Sequence, residues 1–356
     1  MKQIIVATSI LLLLLSCTIT GQTTLETENI PIGGLFSLTG DGASWGGDEL
    51  KAVQLVIDET NEEGGIDRKQ IDFVFEDAKT TSRDAVTAYN ALKSKADVTV
   101  VIGSTWEQTT EPIAPLAEQD QIVLISPSIS GVIEDDKNYN YLFTTWYSEL
   151  SGTKRVLQEM NKQNIGRAVI IHNTGIWPTF VSNLFEKHSE EYNIEVLQAK
   201  EMKPDAIYTG FSLDEYLQSF MKQAQELGLT VPIYSASATE NELLLEWYGQ
   251  YKYGVYHPVP KITERHTEFI AKYKAKYGEE PTSPSAAPAY DAAKLVIAAL
   301  KDGARTGEEI KNWLDNVQDF PGTVVEKITF DEKGLLDVGT DAFVIRTVKN
   351  RTFKDI

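Results

Sequence analysis

One set of residues in this sequence could carry out hydrolysis, because a serine lies among glycines. Residues 42–46, Gly-Ala-Ser-Trp-Gly, fit the G-x-S-x-G pattern of a hydrolase nucleophile. That pattern needs its serine on a tight turn directly between a strand and a helix. Here about five residues separate the preceding apolar run from Ser44, which argues against the hydrolase geometry. A serine hydrolase therefore stays only as an alternative, and the chain is not expected to be an enzyme.

The sequence contains no motif typical of a metal site or of a phosphate- or dinucleotide-binding loop. The four histidines, His172, His188, His257 and His266, include no close pair at metal-ligand spacing. Neither a complete G-x-G-x-x-G nor a G-x-x-x-x-G-K-[ST] loop occurs. We expect no metal and no cofactor.

A second set of residues could bind a ligand without changing it. Its members are aromatic, hydroxyl or acidic side chains in segments that follow apolar, strand-like runs. They are Trp45, Trp106, Trp177, Phe211, Ser128, Ser130, Ser237 and Glu107. Ligands of parallel α/β sheets bind at the carboxyl ends of the strands. If two such sheets face each other, the sequence predicts one binding cleft between them.

Alternating strand-like and helix-like segments would position these residues. Val98–Ile102 is a continuous apolar run of the kind found in buried parallel strands, whereas Asp48–Asn61 has the apolar spacing of one helix face. Ser82 is predicted to be an N-cap, and Thr306 with Glu309 is predicted to form a capping box. The pattern indicates an α/β fold of two lobes, each a doubly wound parallel sheet covered by helices.

The order of these segments suggests how the chain divides. We predict lobe 1 over residues 30–146 and lobe 2 over residues 147–260. The chain then returns to lobe 1 over residues 261–326, and residues 327–356 complete lobe 2.

The N-terminus resembles an export signal. Lys2 precedes an apolar run, Ile4–Leu15, that is too short to span a bilayer comfortably. Ser16 then precedes Cys17, the only cysteine in the chain, as in a bacterial-type lipobox. We predict a signal peptide over residues 1–16, lipidation of Cys17, and a tether over residues 17–29. The protein would then be extracytoplasmic and lipid-anchored, at the cell surface or in the periplasm. The alternative is an ordinary signal peptide with an incidental cysteine.

Composition excludes some partners. The chain has 356 residues, 42% of them hydrophobic, and a formal net charge of −19. A packed globular protein is expected from the apolar content. Nucleic acid is not expected as a partner, because its binding depends on Lys and Arg that neutralise phosphates.

An ordered series of short motifs resembles the Leu/Ile/Val-binding protein family, the type I periplasmic solute-binding proteins of ABC importers. The matching stretches run through nearly all of residues 30–350. They include Ile32–Gly40, Asn61–Ile66, Val101–Ser104, Leu124–Ser128, Ala289–Ala292 and Ile328–Gly334. The resemblance implies two α/β lobes joined by three hinge crossings that close on a small-molecule solute. It also implies a monomer that delivers the solute to ABC permease subunits in the membrane.

The resemblance also implies roles for individual residues. Trp45 matches an aromatic ligand residue of the first loop, Ser128 and Ser130 match a backbone-and-hydroxyl pair, and Trp177 and Phe211 match aromatics of the second lobe. Two positions depart from the amino-acid binders. Glu107 replaces a serine that binds the ligand carboxylate, and Ser237 replaces an acid that binds the ligand ammonium.

Those departures bear on the solute. A buried carboxylate beside a ligand carboxylate is costly, whereas Glu107 among aromatic rings suits a cation. The sequence therefore predicts an amino-acid-like, amide or cationic solute. A ligand-sensing receptor domain of the same fold is the alternative function.

Overall fold

A computed structural model describes residues 29–129, 139–197, 203–212, 214–237, 245, 251 and 253–356. The predicted signal peptide, Cys17 and Ser130 lie outside these residues.

The first lobe is built on a five-stranded sheet with the strand order β2-β1-β3-β4-β5. Its strands are β1 (Ile30–Phe36), β2 (Ile71–Asp77), β3 (Val100–Gly103), β4 (Val123–Ser126) and β5 (Leu142–Thr144). All neighbouring strands are parallel. Every residue of β3 and β4 is buried, as expected for apolar strands covered by helices on both faces.

The second lobe is built on a seven-stranded sheet with the order β14-β13-β10-β9-β8-β6-β7. Its strands are β6 (Arg167–His172), β7 (Glu195–Val196), β8 (Ala206–Gly210), β9 (Ile233–Ser235), β10 (Val255–Pro260), β13 (Phe343–Lys349) and β14 (Thr352–Asp355). Strands β6 to β10 pair in parallel, but β13 is antiparallel to both β10 and β14. The second sheet is therefore mixed, whereas the sequence predicts parallel sheets.

The antiparallel pairing of β13 with β14 has a local cause. Only Asn350 and Arg351 separate β13 from β14, and both have positive φ, 52° and 59°. Two central residues of positive φ match the twist of a two-residue hairpin. The last two strands must therefore run in opposite directions.

Helices cover both sheets, and four short segments complete the element list. The helices are α1 (Ala43–Glu62), α2 (Ser82–Lys95), α3 (Glu107–Thr110), α4 (Ala114–Asp120), α5 (Glu149–Lys162), α6 (Ile176–Ser189), α7 (Asp214–Glu226), α8 (Glu264–Tyr277), α9 (Ala286–Lys301) and α10 (Gly307–Asp315). Strands β11 (Phe320–Pro321) and β12 (Lys327–Ile328) form a separate pair. Glu190–Tyr192 and Thr340–Ala342 are single 3₁₀ turns.

Helices α8, α9 and α10 pack into the core of the first lobe, together with β1, β3 and α1. The chain therefore crosses between lobes three times: after β5, after β10 and before β13. The two-lobed α/β prediction is confirmed, while the exact lobe bounds stay a prediction.

The observed helix caps and helix starts agree only in part with the predictions. The capping box of Thr306 and Glu309 is confirmed at the start of α10. The N-cap of α2 is Thr81, whose side chain accepts from the Asp84 N–H, so the prediction of Ser82 is wrong by one residue. Helix α1 begins five residues before the predicted start, at Ala43. In the described part of the chain no helix is long and apolar enough to cross a membrane.

Candidate ligand-binding site

One cavity of about 220 Å³ lies between the two lobes, and seven of the eight predicted ligand residues line it. They are Trp45, Trp106, Glu107, Ser128, Trp177, Phe211 and Ser237. The eighth, Ser130, lies outside the described residues. The structure thus brings the predicted residues together, and their contact with a ligand stays a prediction.

Trp45 lies at the start of helix α1, not in a loop, and a glycine brings that helix close to β1. A Cβ atom at Gly46 would lie 2.1 Å from the backbone oxygen of Ser37. Only glycine permits this approach. The first turn of α1 therefore sits directly on the residue that follows β1, which directs Trp45 to the cavity edge.

Trp106 follows β3 in an unusual backbone conformation, with φ 66° and ψ 163°. Residues other than glycine rarely adopt this region. Hydrogen bonds on both sides hold the residue there: its N–H donates to Ser128 Oγ at 3.2 Å, and its carbonyl accepts from Thr110 Oγ1 at 2.9 Å. The aromatic ring of Trp106 is thereby fixed beside Trp45, with ring centroids 5.6 Å apart.

Glu107 begins the short helix α3 and is 6% exposed. It lines the cavity with Asp41, which is exposed. Among the described lining residues there is no Lys, Arg or His. The cavity wall therefore offers acidic but no basic side chains in the part of the chain that the structure describes.

Two aromatic residues of the site were missed by sequence reasoning. Trp146 and Tyr147 follow β5 at the first crossing, and both line the cavity. Their rings stack with centroids 4.2 Å apart, and Trp146 also lies 5.7 Å from Trp45. Their position at the point where the strand pattern restarts is the signal that could have identified them.

Glu149, the first residue of α5, was also missed and lies behind the cavity wall. Its side chain is buried, and its Oε1 accepts from Ser237 Oγ, Trp177 Nε1 and Trp146 Nε1. Burial raises the pKa of Glu149, and these three donors act in the opposite direction.

A second buried acid, Glu49 on α1, lies behind the first-lobe side. Thr105 Oγ1 donates to its Oε2 at 2.5 Å. Burial raises the pKa of Glu49 to about 7, and the neighbouring Asp48 adds to the rise. The hydroxyls of Thr105, Ser128 and Ser285 oppose that rise.

Within the described ranges no cluster of three or more His, Cys, Asp or Glu side chains could hold a metal ion. A cavity at the strand ends of two lobes, lined by both aromatic and polar side chains, has the features of a small-molecule binding site. Two such lobes with three crossings define a two-lobed solute receptor.

The chain belongs to the periplasmic binding protein family, whose family model matches residues 29–212 and 185–350. It is 21% identical over 333 residues to the leucine-, isoleucine-, valine-, threonine- and alanine-binding protein of Pseudomonas aeruginosa, a match that covers 87% of this chain and 88% of that one. The resemblance to the Leu/Ile/Val-binding proteins predicted from the sequence is confirmed, and this family is extracytoplasmic.

Solved structures share the fold. The branched-chain amino acid substrate-binding protein LivJ of Streptococcus pneumoniae, in complex with isoleucine, matches with a TM-score of 0.74 and 25% identity, over 92% of this chain and 99% of that one. A solute-binding protein of R. palustris in complex with benzoate matches with a TM-score of 0.74 and 16% identity, over 92% of this chain and 96% of that one. These relatives are solute-binding proteins and not enzymes, as the sequence predicts for this chain.

Proposed function

We propose that this protein captures a small organic solute in the cavity between its lobes and delivers it to the permease of an ABC importer. The single observation that carries the proposal is that one cavity is lined from both lobes by aromatic and polar side chains. Closure of two lobes over a solute removes water from such a cavity and creates a distinct closed form. A permease can recognise that form, so no chemical change of the solute is needed.

The solute in this proposal is amino-acid-like, an amide or a cation. Two relatives favour a branched-chain amino acid as the solute. LivJ of S. pneumoniae is in complex with isoleucine, and the P. aeruginosa protein binds leucine, isoleucine and valine. The first-lobe wall favours a positively charged group, because the buried Glu107 would repel a ligand carboxylate. The aromatic rings beside it would add cation–π attraction.

Attachment to the membrane is part of the proposal. Lipidation of Cys17, together with removal of residues 1–16, would tether the two lobes through a polar segment at residues 18–29. A tethered, monomeric receptor stays close to its permease. The wild-type protein should incorporate a labelled fatty acid and Cys17→Ser should not; equal labelling of the two, or no labelling of either, would contradict the anchor.

A thermal-shift screen of the purified protein tests the binding function. The panel should contain amino acids, amides, polyamines, alkylated ammonium compounds and aromatic acids. A ligand that binds only the native state adds about 2.7 kcal/mol to the free energy of unfolding at about 100 times its Kd. At least one compound should raise the midpoint of unfolding. If all compounds leave the midpoint unchanged and scattering shows no change of shape, the protein is not a solute receptor of this kind.

A further inference from the structure

Three residues of the cavity wall share one hydrogen-bond acceptor. Trp146, Trp177 and Ser237, here called the indole wall, all line the cavity. Their donors meet at Glu149 Oε1, at 3.3 Å from Trp146 Nε1, 3.1 Å from Trp177 Nε1 and 2.7 Å from Ser237 Oγ. The three residues come from the first crossing, from α6 and from the segment after β9. Glu149 therefore fixes the positions of three separate parts of the cavity wall.

These bonds determine what the indole wall can offer a ligand. A tryptophan has a single donor, its indole N–H, and a serine hydroxyl has a single proton. All three are directed at Glu149. The indole wall is left with ring surfaces and with the lone pairs of Ser237 Oγ, which can accept a hydrogen bond but not donate one. A ligand carboxylate would find no free side-chain donor among these three residues.

The charge of Glu149 also argues against an anionic ligand group at this wall. In the described part of the chain Glu149 forms no ion pair, although it is only 2% exposed. At the other end of the same helix Glu159 is equally buried, but Arg155 Nη1 and Lys162 Nζ lie 3.6 and 3.5 Å from its Oε2. A buried carboxylate without a counter-charge is costly. The described lining residues supply none, since they include Asp41 and Glu107 but no basic side chain.

We propose that the solute carries an alkylated ammonium group that binds against the indole wall, with Glu149 as its counter-charge and as the positioning residue. Ring faces attract a cation through their negative quadrupole and also pack against its methyl or methylene groups. This inference rests on the proposed function. It narrows the three proposed solute classes, amino-acid-like, amide and cationic, to the cationic class. It also gives a reason for Ser237. Amino-acid binders have an acid at this position, whereas here Glu149 of α5 supplies the acid.

Calorimetric titration with a matched pair of probes tests the inference. Choline carries a trimethylammonium group, and 3,3-dimethylbutan-1-ol is its neutral isostere, with carbon in place of nitrogen. The wild-type protein should bind choline at least about tenfold more tightly than the alcohol. This comparison needs no variant, so it cannot be confused with a folding defect. Leucine is titrated in parallel as the probe for the class of ligand that the relatives bind.

Two variants identify the residue responsible. Glu149→Gln keeps an acceptor oxygen for the three donors but removes the charge, and should weaken choline binding about tenfold while leaving the affinity for the alcohol unchanged. Glu159→Gln removes an equally buried carboxylate of the same helix, far from the cavity, and should leave both affinities unchanged. A purely structural role of Glu149 would lower both affinities together.

The outcomes separate this inference from the proposed function. If leucine or another solute without an N-alkylated ammonium group binds, choline does not, and Glu149→Gln leaves that affinity unchanged, the inference is overturned while solute capture stands. Equal affinities for choline and the alcohol would also overturn it. If no solute of any class binds, solute capture itself fails, and the inference fails with it.

Discussion

Each side of the cavity has a buried carboxylate behind it, Glu49 in the first lobe and Glu149 in the second. Neither forms an ion pair with a described residue, and burial raises the pKa of both. The two differ in where their donors lie. Of the three hydroxyls that favour the charged form of Glu49, only that of Ser128 belongs to a lining residue of the cavity. All three donors of Glu149 belong to lining residues.

The difference shows that burial alone does not identify a functional acid. Glu49 connects α1 to the segment after β3, because Thr105 Oγ1 both donates to Glu49 and accepts from the Ser37 N–H. Its Oε1 has no hydrogen-bond partner in the described structure. Glu49 therefore serves the first-lobe fold at a cost in stability, whereas Glu149 organises three residues that line the cavity. Substitutions on the two sides of the cavity test this division.

The largest expected effect is on stability, in Glu49→Gln. The pKa of Glu49 rises from 4.5 in the unfolded chain to about 7 in the fold, so the folded state binds more protons between these pH values. Stability from this group is fully present below pH 4.5 and is lost as the pH rises through 7. At pH 8 the variant should be more stable than the wild type by about 3 kcal/mol, and at pH 4 the two should be nearly equal.

Urea unfolding at several pH values measures that difference. Other buried acids, such as Asp291, contribute equally to both proteins and cancel in the comparison. Glu159→Gln is the control, since that carboxylate lies beside Arg155 and Lys162 and should not give the same gain at pH 8. A difference between wild type and Glu49→Gln that is the same at pH 4 and pH 8 would show that Glu49 does not titrate in this range.

Sequence patterns could predict the first-lobe side of the site better than the second. Trp106, Glu107 and Ser128 follow apolar strands directly, so the strand pattern alone locates them near one sheet edge. Glu149 could not be found in this way. Its donors lie 3, 28 and 88 residues away along the chain, and only the packing of α5, α6 and the end of β9 brings them together.

The fold shows the same limit. Continuous apolar runs predict the parallel strands, because complete burial leaves a direct trace in composition. The antiparallel edge was missed because its turn, Asn350-Arg351, contains no glycine that would mark two residues of positive φ. The cap of α2 was misplaced by one residue because Thr81 and Ser82 are adjacent and both can cap a helix.

A smaller effect is expected at Glu107, the acid that lines the first-lobe side. Glu107→Gln should weaken binding of a cationic solute about tenfold, or about 1.4 kcal/mol, because a buried negative charge beside aromatic rings is removed. Asp41→Asn is the matched control, since Asp41 lines the same cavity but is exposed to water. The loss of affinity in Asp41→Asn should stay below about twofold, because solvent screens an exposed charge. Equal losses in the two variants, or an unchanged dissociation constant in Glu107→Gln, would dispose of a special role for Glu107.

The smallest expected effect concerns Ser128, whose Oγ accepts a hydrogen bond from the Trp106 N–H. Ser128→Ala removes the acceptor of the Trp106 N–H and leaves that donor unpaired in a backbone region that disfavours tryptophan. The free energy of unfolding in urea should fall by about 1 kcal/mol. Ser94→Ala is the control, because Ser94 lies on α2 and donates only to the Asn90 carbonyl of its own helix. If both variants lose the same amount, the conformation of Trp106 does not depend on Ser128. If only Ser128→Ala loses stability and also binds the solute less tightly, the first-lobe side of the cavity depends on its internal hydrogen bonds just as the indole wall depends on Glu149.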